Sequence, residues 1–293
     1  MGRRFAAVLG TVAAAGLVLG AAAPAASAGV PSQRSLYWAG YVAFNPAVET
    51  SDFFKFVTGT FTVPSIKTSC RAADLSAVSQ LVGLSGSPVQ SLGFPLQAAG
   101  VYETCASGSP VYSAAYWNVP ANGADDDRPG QTDGPTLLFP VSPGDVVFAS
   151  AFFIPPPCQD MPQLGCVEFE RFTVTDQATG QTWQQKVACD TNDVGSRGIR
   201  CDTVTAEVVT QGEVNARSGG NATPDFGSVR FTQVKVTDLN QTGAKAMVNS
   251  QWTTNKITEY GTTTVRPDVV PGALTNTTNP SESAFTNTWK RLN

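Results

Sequence analysis

The sequence has 293 residues, a formal net charge of −4 at neutral pH and no histidine. Histidine-based catalytic triads and histidine-ligated metal centres are therefore excluded, because both depend on an imidazole. The acidic balance also excludes a basic nucleic-acid-binding protein. Any catalytic proton transfer must use carboxylates, with amides, hydroxyls and phenols in support.

Residues 1–28 have the pattern of a secretory signal peptide. Arg3 and Arg4 precede the apolar run Phe5–Ala22, and Ala26-Ser-Ala28 fits the small-residue cleavage rule. The alternative is an uncleaved membrane anchor, because the run is almost long enough to span a bilayer. The small-residue ending favours cleavage. We therefore expect a secreted, extracellular protein that has no membrane association once the signal is removed.

The cysteines agree with an oxidising compartment. An even number of them follows the signal: Cys70, Cys105, Cys158, Cys166, Cys189 and Cys201. We expect neighbours to pair, as 70–105, 158–166 and 189–201, among the connectivities that are possible. A thiolate metal site is the competing interpretation, but the sequence has no C-x-x-C spacing and no histidine to complete one. No metal and no cofactor are expected.

Beyond the signal, apolar residues alternate with period two, and Pro, Gly, Asn and Asp interrupt the pattern. In chain order this pattern predicts strands at Phe54–Val63, Ala77–Leu84, Leu96–Thr104, Val111–Val119, Thr136–Val141, Val146–Ile154, Val167–Asp176, Gln181–Cys189, Thr203–Thr210, Gly227–Thr237 and Phe285–Trp289. No stretch of convincing length has the helical period. Many short strands separated by turns are typical of an all-β sandwich. Since no linker or repeat divides the chain, we expect a single domain over residues 29–293.

Short sequence patches occur in a characteristic order. They are Trp38-Ala-Gly-Tyr-Val42, Val57-Thr-Gly-Thr-Phe-Thr-Val-Pro64, Thr205-Ala-Glu-Val-Val209 and Pro224-Asp-Phe-Gly-Ser-Val-Arg-Phe-Thr232. The set resembles the glutamic peptidases (the eqolisin, or peptidase G1/A4, family), which are secreted acid proteases. The resemblance runs from Ser35 to Trp289. It implies a two-sheet antiparallel β-sandwich of the concanavalin-like jelly-roll type, with a catalytic Glu and Gln on its concave face.

That chemistry needs no imidazole. A Glu carboxylate can take a proton from water and return it to the leaving amine. A Gln amide can donate hydrogen bonds to the oxyanion of the tetrahedral intermediate. The resemblance implies Glu207 and Gln97 for these roles. With an ordinary Glu pKa of about 4.3, we expect activity at acid pH.

Strand alternation predicts the surroundings of Glu207. In Thr203–Thr210, alternation places Ala206 and Val208 on one face and Thr205, Glu207 and Val209 on the other. The second face is suited to line a substrate groove. Aromatic residues complete the predicted groove, namely Trp38, Tyr116 and Trp117. For Trp38 and Tyr116, a buried place in the sandwich core is the alternative.

Gln97 fits the family pattern less well than Glu207. The family has one residue between its Gln and the following Gly, whereas this chain has Ala98 and Ala99 before Gly100. Alignment on Gly100 and Cys105 would place Ala98 at the catalytic position. A β-bulge would absorb the extra residue, whereas a slip without one would turn Gln97 to the opposite face. Gln90 is the substitute candidate.

Other positions also depart from the family pattern. They are Tyr37, Ser85, Ala115, Trp117 and Val208. Because these positions would shape the groove and tune the carboxylate, either the specificity is altered or activity has been lost. The expected partners are polypeptide substrates, and the expected state is a monomer.

Two further function classes remain open. One is a catalytically degenerate sandwich that binds peptide or glycan in the groove. The other is a two-carboxylate glycoside hydrolase, which needs a second carboxylate near Glu207. Glu103 or Asp225 would have to supply it.

Overall fold

The computed structural model describes the strands of the chain and their short connections. The described residues are 32–35, 38–45, 53–67, 70, 77–85, 96–106, 108–119, 135–155, 168–188, 201, 203–212, 223–240, 243–259, 268–276 and 281–290. Within these ranges every helix or strand element is a strand, which agrees with the all-β prediction. In these ranges no helix is long and apolar enough to cross a membrane.

The strands have the following bounds: β1 Ser32–Ser35, β2 Trp38–Phe44, β3 Phe54–Thr62, β4 Ala77–Ser85, β5 Leu96–Ala106, β6 Ser109–Val119, β7 Thr136–Pro140, β8 Val146–Ile154, β9 Phe169–Asp176, β10 Thr182–Ala188, β11 Thr205–Gly212, β12 Ser228–Asp238, β13 Lys245–Ala246, β14 Thr253–Glu259, β15 Asp268–Pro271, β16 Thr275–Asn276 and β17 Ser283–Lys290. Each predicted strand is present within a few residues of its predicted bounds. The alternation did not predict β1, β2, β13, β14, β15 or β16, although the Trp38 patch begins β2.

The strands form two sheets. In the first, neighbours run in the order β1-β14-β2-β11-β4-β5-β6-β7, antiparallel except for the parallel β1–β14 pair. In the second, the order is β10-β9-β8-β3-β12-β17-β15. A pairing of Glu259 with Val269 joins β14 to β15 at one edge. The sheets do not close into a barrel, so the predicted β-sandwich is confirmed.

The main hydrophobic core lies between the two sheets. From the first sheet it includes Val82, Leu84 and Val208, and from the second Phe61 and Phe231. A separate apolar cluster lies on the opposite side of the first sheet and includes Val42, Leu81 and Trp117. The central strands of the first sheet are therefore buried on both faces. This is why β11 contains almost no exposed residue.

One predicted disulfide is confirmed. Cys70 and Cys105 are bonded and tie the segment before β4 to the end of β5. Cys201 is also disulfide-bonded, but its predicted partner Cys189 lies outside the described residues. The same holds for the predicted 158–166 pair and for the signal peptide.

Candidate active site

Glu207 lies near the middle of the first sheet, on β11, between β2 and β4. Its side chain is 3% exposed. As the alternation predicts, Thr205, Glu207 and Val209 share the face that points away from the second sheet. Ala206 and Val208 belong to the core between the sheets. The sequence therefore placed Glu207 on the correct face.

Cross-strand pairing defines which residues accompany Glu207. In an antiparallel sheet, directly opposed residues project to the same face. We call the resulting line across the sheet the Glu207 row. In spatial order it contains Asn255, Val42, Glu207, Gly83, Ala98 and Trp117.

The Glu207 carboxylate accepts a hydrogen bond from a hydroxyl, and its face of the sheet also contains apolar side chains. The hydroxyl of Thr205 donates a hydrogen bond to Glu207 Oε1 at 2.9 Å. Val209, two residues along the strand, packs in the apolar cluster with Leu81 and Trp117. A carboxylate held beside apolar groups interacts more strongly with a nearby charge or dipole than one in water. The hydrogen bond from Thr205 fixes one carboxylate oxygen of Glu207.

Gln97 does not lie on this face, and its predicted pairing with Glu207 is corrected here. Gln97 is opposed by Leu84, which is opposed by Ala206; both belong to the core between the sheets. The β4–β5 pairing runs from Ala77 to Ser85 with no register shift, so no bulge re-aims the side chain. The Gln97 amide points into the sandwich interior and cannot share a water molecule with Glu207.

Ala98 takes the position on the Glu207 face instead. It is completely buried and lies two strands from Glu207, with Gly83 between them. A Cβ added at Gly83 would lie 2.7 Å from the Ala98 Cβ and 2.7 Å from the carbonyl oxygen of Gln97. Glycine is therefore required at position 83 for the close approach of β4 and β5. The register of β4 and β5 therefore places Ala98 on the Glu207 face, in agreement with the sequence alignment on Gly100 and Cys105.

Most of the predicted groove residues accompany Glu207. Trp38 is opposed by Gln211 on the same face and packs, partly buried, against the apolar cluster. Trp117 is 4% exposed and belongs to the Glu207 row. Tyr116 is a correction, because it points inward, stacked on Trp183 at 4.9 Å between ring centroids. Its role is packing in the core, the alternative that the sequence left open.

Asn255 is a site residue that the sequence did not suggest. It lies two strands from Glu207 on the side away from Gly83, with Val42 between. The side chain is 2% exposed, and its Oδ1 has no hydrogen-bond partner among the described residues. Asn255 precedes Lys256-Ile257 in the sequence. This segment has too little apolar alternation to predict β14, so no clear sequence pattern marked Asn255.

The carboxylates considered for a glycoside hydrolase do not join Glu207. Glu103 is fully buried on the inward face of β5, with Ala99 and Val101. Burial raises the pKa of its carboxyl well above the usual value, and the Gln80 side chain lowers it in part. Asp225 precedes β12, a strand of the second sheet. Its Oδ1 accepts a hydrogen bond from the Gly227 backbone N–H at 2.8 Å. Neither side chain is in the Glu207 row.

The remaining predicted positions divide between described and undescribed residues. Ser85 is opposed by Thr205 in the pairing of β4 with β11. Gln90 and Tyr37 lie outside the described ranges. Within the described ranges, no group of His, Cys, Asp and Glu side chains is arranged to hold a metal ion.

Comparison with protein families finds a match over part of the chain. Residues 36–152 match the model of the peptidase A4 family. The match agrees with the resemblance seen in the two sequence patches that lie within it, Trp38–Val42 and Val57–Pro64. It spans Gly83, Ala98 and Trp117, whereas Glu207 lies beyond it.

The fold is also similar to a solved structure, the crystal structure of Scytalido-glutamic peptidase with a peptide-based transition-state analogue. The TM-score is 0.48 and the sequence identity 17%, over 85% of this chain and 97% of that chain. No curated protein matches the chain.

Proposed function

We propose that the protein is a secreted acid endopeptidase in which Glu207 activates the attacking water. The observation that carries this proposal is the placement of Glu207, a buried carboxylate near the centre of a sheet face, held by Thr205 at 2.9 Å. The peptidase A4 match over residues 36–152 supports the reaction class. Polypeptides are the proposed substrates, and the monomer is the proposed working state.

Glu207 would act first as a base and then as an acid. Ionised, it takes a proton from water as that water attacks the peptide carbonyl, and it then returns the proton to the leaving amine. The hydrogen bond from Thr205 occupies Oε1.

The oxyanion needs a donor, and Asn255 is the carboxamide that we propose for this role. Two strand spacings of about 4.8 Å each separate it from Glu207. Side chains leaning toward each other above Val42 would leave room for a peptide carbonyl and one water. The buried position of Asn255 in the Glu207 row supports this assignment.

A second candidate function is a peptide-binding sandwich without catalysis. Ala98 favours it, because alanine stands in the row where the family resemblance would place the catalytic amide. Such a protein would retain the groove lined by Trp38, Trp117 and Val209. It would bind polypeptides without cleaving them.

The experiment is digestion of a denatured protein substrate by the purified protein over a pH series from about 3 to 6, which brackets the ordinary Glu pKa of about 4.3. Cleavage that persists with an inhibitor of pepsin-type proteases supports the proposal. Binding of the same substrate without any cleavage over a broad pH range would favour the second candidate. The variant Asn255→Ala then tests the proposed donor to the oxyanion.

A further inference from the structure

A cluster of cations lies on the outer face of the second sheet, away from the core and from the Glu207 row. Alternate residues of β3, β8, β9 and β10 project from that outer face, Phe152, Phe169, Arg171 and Lys186 among them. None of them is acidic, in a chain whose net charge is −4. The charge on this face is therefore opposite to that of the whole protein.

The cations are grouped around two phenylalanine rings. The Arg171 guanidinium lies 4.8 Å from the Phe152 ring centroid, and Lys55 Nζ lies 5.6 Å from the same centroid. Lys186 Nζ lies 3.8 Å above the Phe169 ring. We call Lys55, Phe152, Phe169, Arg171 and Lys186 the cationic cluster. Arg171 and Lys186 are exposed to solvent.

The arrangement places like charges side by side. Arg171 and Lys186 are directly opposed across β9 and β10, and like charges so placed destabilise a sheet. The rings offset part of that repulsion through cation–π attraction. In the described part of the chain, none of the cluster's cations forms a salt bridge, whereas Lys235 is paired with Glu282 at 2.9 Å. The nearest carboxylate on these strands, Glu170, points inward and is fully buried.

Hydroxyl and amide groups extend from the cluster along the same strands. Gln184 Nε2 donates to Thr173 Oγ1 at 3.0 Å, and the hydroxyls of Thr175 and Thr182 lie 3.1 Å apart. From Lys186 to Thr182 this polar ribbon covers about 13 Å, at about 3.3 Å per residue. An extended polymer with many hydroxyls and regularly spaced anions complements such a surface better than lipid does, because the ribbon is polar throughout.

We infer that the cationic cluster and the adjoining polar ribbon bind an acidic polysaccharide whose sugars carry carboxylates. The carboxylates would pair with Arg171, Lys186 and Lys55, and the sugar hydroxyls would exchange hydrogen bonds with Gln184 and the threonines. Charge-assisted pairing of this kind favours arginine. Because the face is on the other sheet, binding there would leave the Glu207 groove open.

The test is binding of fluorescent polygalacturonate to the full-length secreted protein at about pH 6, where carboxylates are ionised. The wild type should bind at about 20 mM salt and release the polymer near 300 mM, as screening predicts. The double variant Arg171→Gln/Lys186→Gln should weaken binding about tenfold or more, because it removes charge-assisted contacts. Lys235→Gln is the matched control and should bind like the wild type, since Lys235 already pairs with Glu282.

Several outcomes would overturn the inference. They are no binding by the wild type, equal binding by the double variant, and equal binding of neutral dextran. Binding to phosphatidylserine vesicles without binding to polygalacturonate would also overturn it, in favour of a membrane partner. Circular dichroism of each variant checks the fold. The assay involves no peptide cleavage, so its result is independent of the proposed peptidase activity.

Discussion

Ala98 and Glu207 lie in one cross-strand row, two strands apart, and only Gly83 separates them. Gln97, one residue earlier, points to the other side of the sheet, into the core. A single residue thus decides whether the Glu207 face contains a methyl group or a carboxamide at this point. The face contains Glu207 without the glutamine that the family resemblance implies.

Ala98→Gln is expected to increase peptidase activity. The new amide would point to the Glu207 face across Gly83, where it could donate to a developing oxyanion. One such donor contributes up to about 10²–10³-fold in kcat, so a rise of about tenfold or more is expected in kcat on a peptide substrate. A correctly folded variant with unchanged or lower kcat would show that this position is not near the reacting carbonyl.

Asn255→Ala is expected to lower kcat by about 10²-fold while changing KM little, because a donor to the oxyanion acts mainly in the transition state. Gln211→Ala is the matched control. Gln211 shares the Glu207 face but lies four residues along β11, about 13 Å away. Equal effects of the two substitutions, or an effect of Asn255→Ala on KM alone, would remove Asn255 from the proposed mechanism.

Gln97→Leu is expected to stabilise the fold and to leave activity unchanged. Gln97 is 1% exposed, and both polar atoms of its amide are buried without a hydrogen-bond partner among the described residues. An unsatisfied buried polar group costs about 1–3 kcal/mol, and leucine has a similar volume. Urea unfolding should show a higher midpoint at unchanged slope. A large loss of stability would indicate that the amide is satisfied in solution.

Stability should depend on pH through Glu103. Burial raises the pKa of this carboxyl well above its ordinary value, so the folded state retains a proton that the unfolded chain releases. Folding stability from this group is therefore complete below the ordinary Glu pKa of about 4.3 and declines as pH rises toward the raised pKa of the folded state. Other ionisable groups on the inward faces are Tyr112 opposite Glu103, and Glu170 and Asp176 on β9.

Glu103→Gln isolates that contribution. The variant should lose much of the decrease in Tm between mildly acid and neutral pH, because its neutral amide has no proton to release. Thermal unfolding of both proteins across this pH range measures the effect. If the two Tm curves run parallel, Glu103 does not control the pH dependence.

The sequence predicted the strands because period-two alternation reflects burial on one face, and most strands here have that pattern. It missed β14, whose segment Thr253-Thr-Asn-Lys-Ile257 has little apolar alternation and is positioned by pairing with β2. It also missed β2 as a strand, because Trp38–Phe44 is buried on both faces and barely alternates.

The candidate site was predicted in part. Local alternation was sufficient for Glu207, Thr205 and Val209, because the face follows from neighbours on the same strand. The orientation of Gln97 depended on how β5 pairs with β4, and a shift of one residue inverts every side chain. The predicted place of Tyr116 in the groove was wrong for a similar reason, because its neighbour Trp117 takes the position on the outward face. The place of Asn255 in the Glu207 row depends on the pairing of β14 with β2, which are distant in the sequence, and no local pattern predicts that pairing.

The most direct test of the central claim compares Glu207→Gln with Glu103→Gln in the digestion of denatured protein at acid pH. Both substitutions replace a buried carboxyl in the first sheet with an amide, but only Glu207 lies on the proposed catalytic face. We predict that Glu207→Gln abolishes cleavage and that Glu103→Gln retains it. Cleavage by folded Glu207→Gln at the wild-type rate would contradict the assignment of Glu207 as the base.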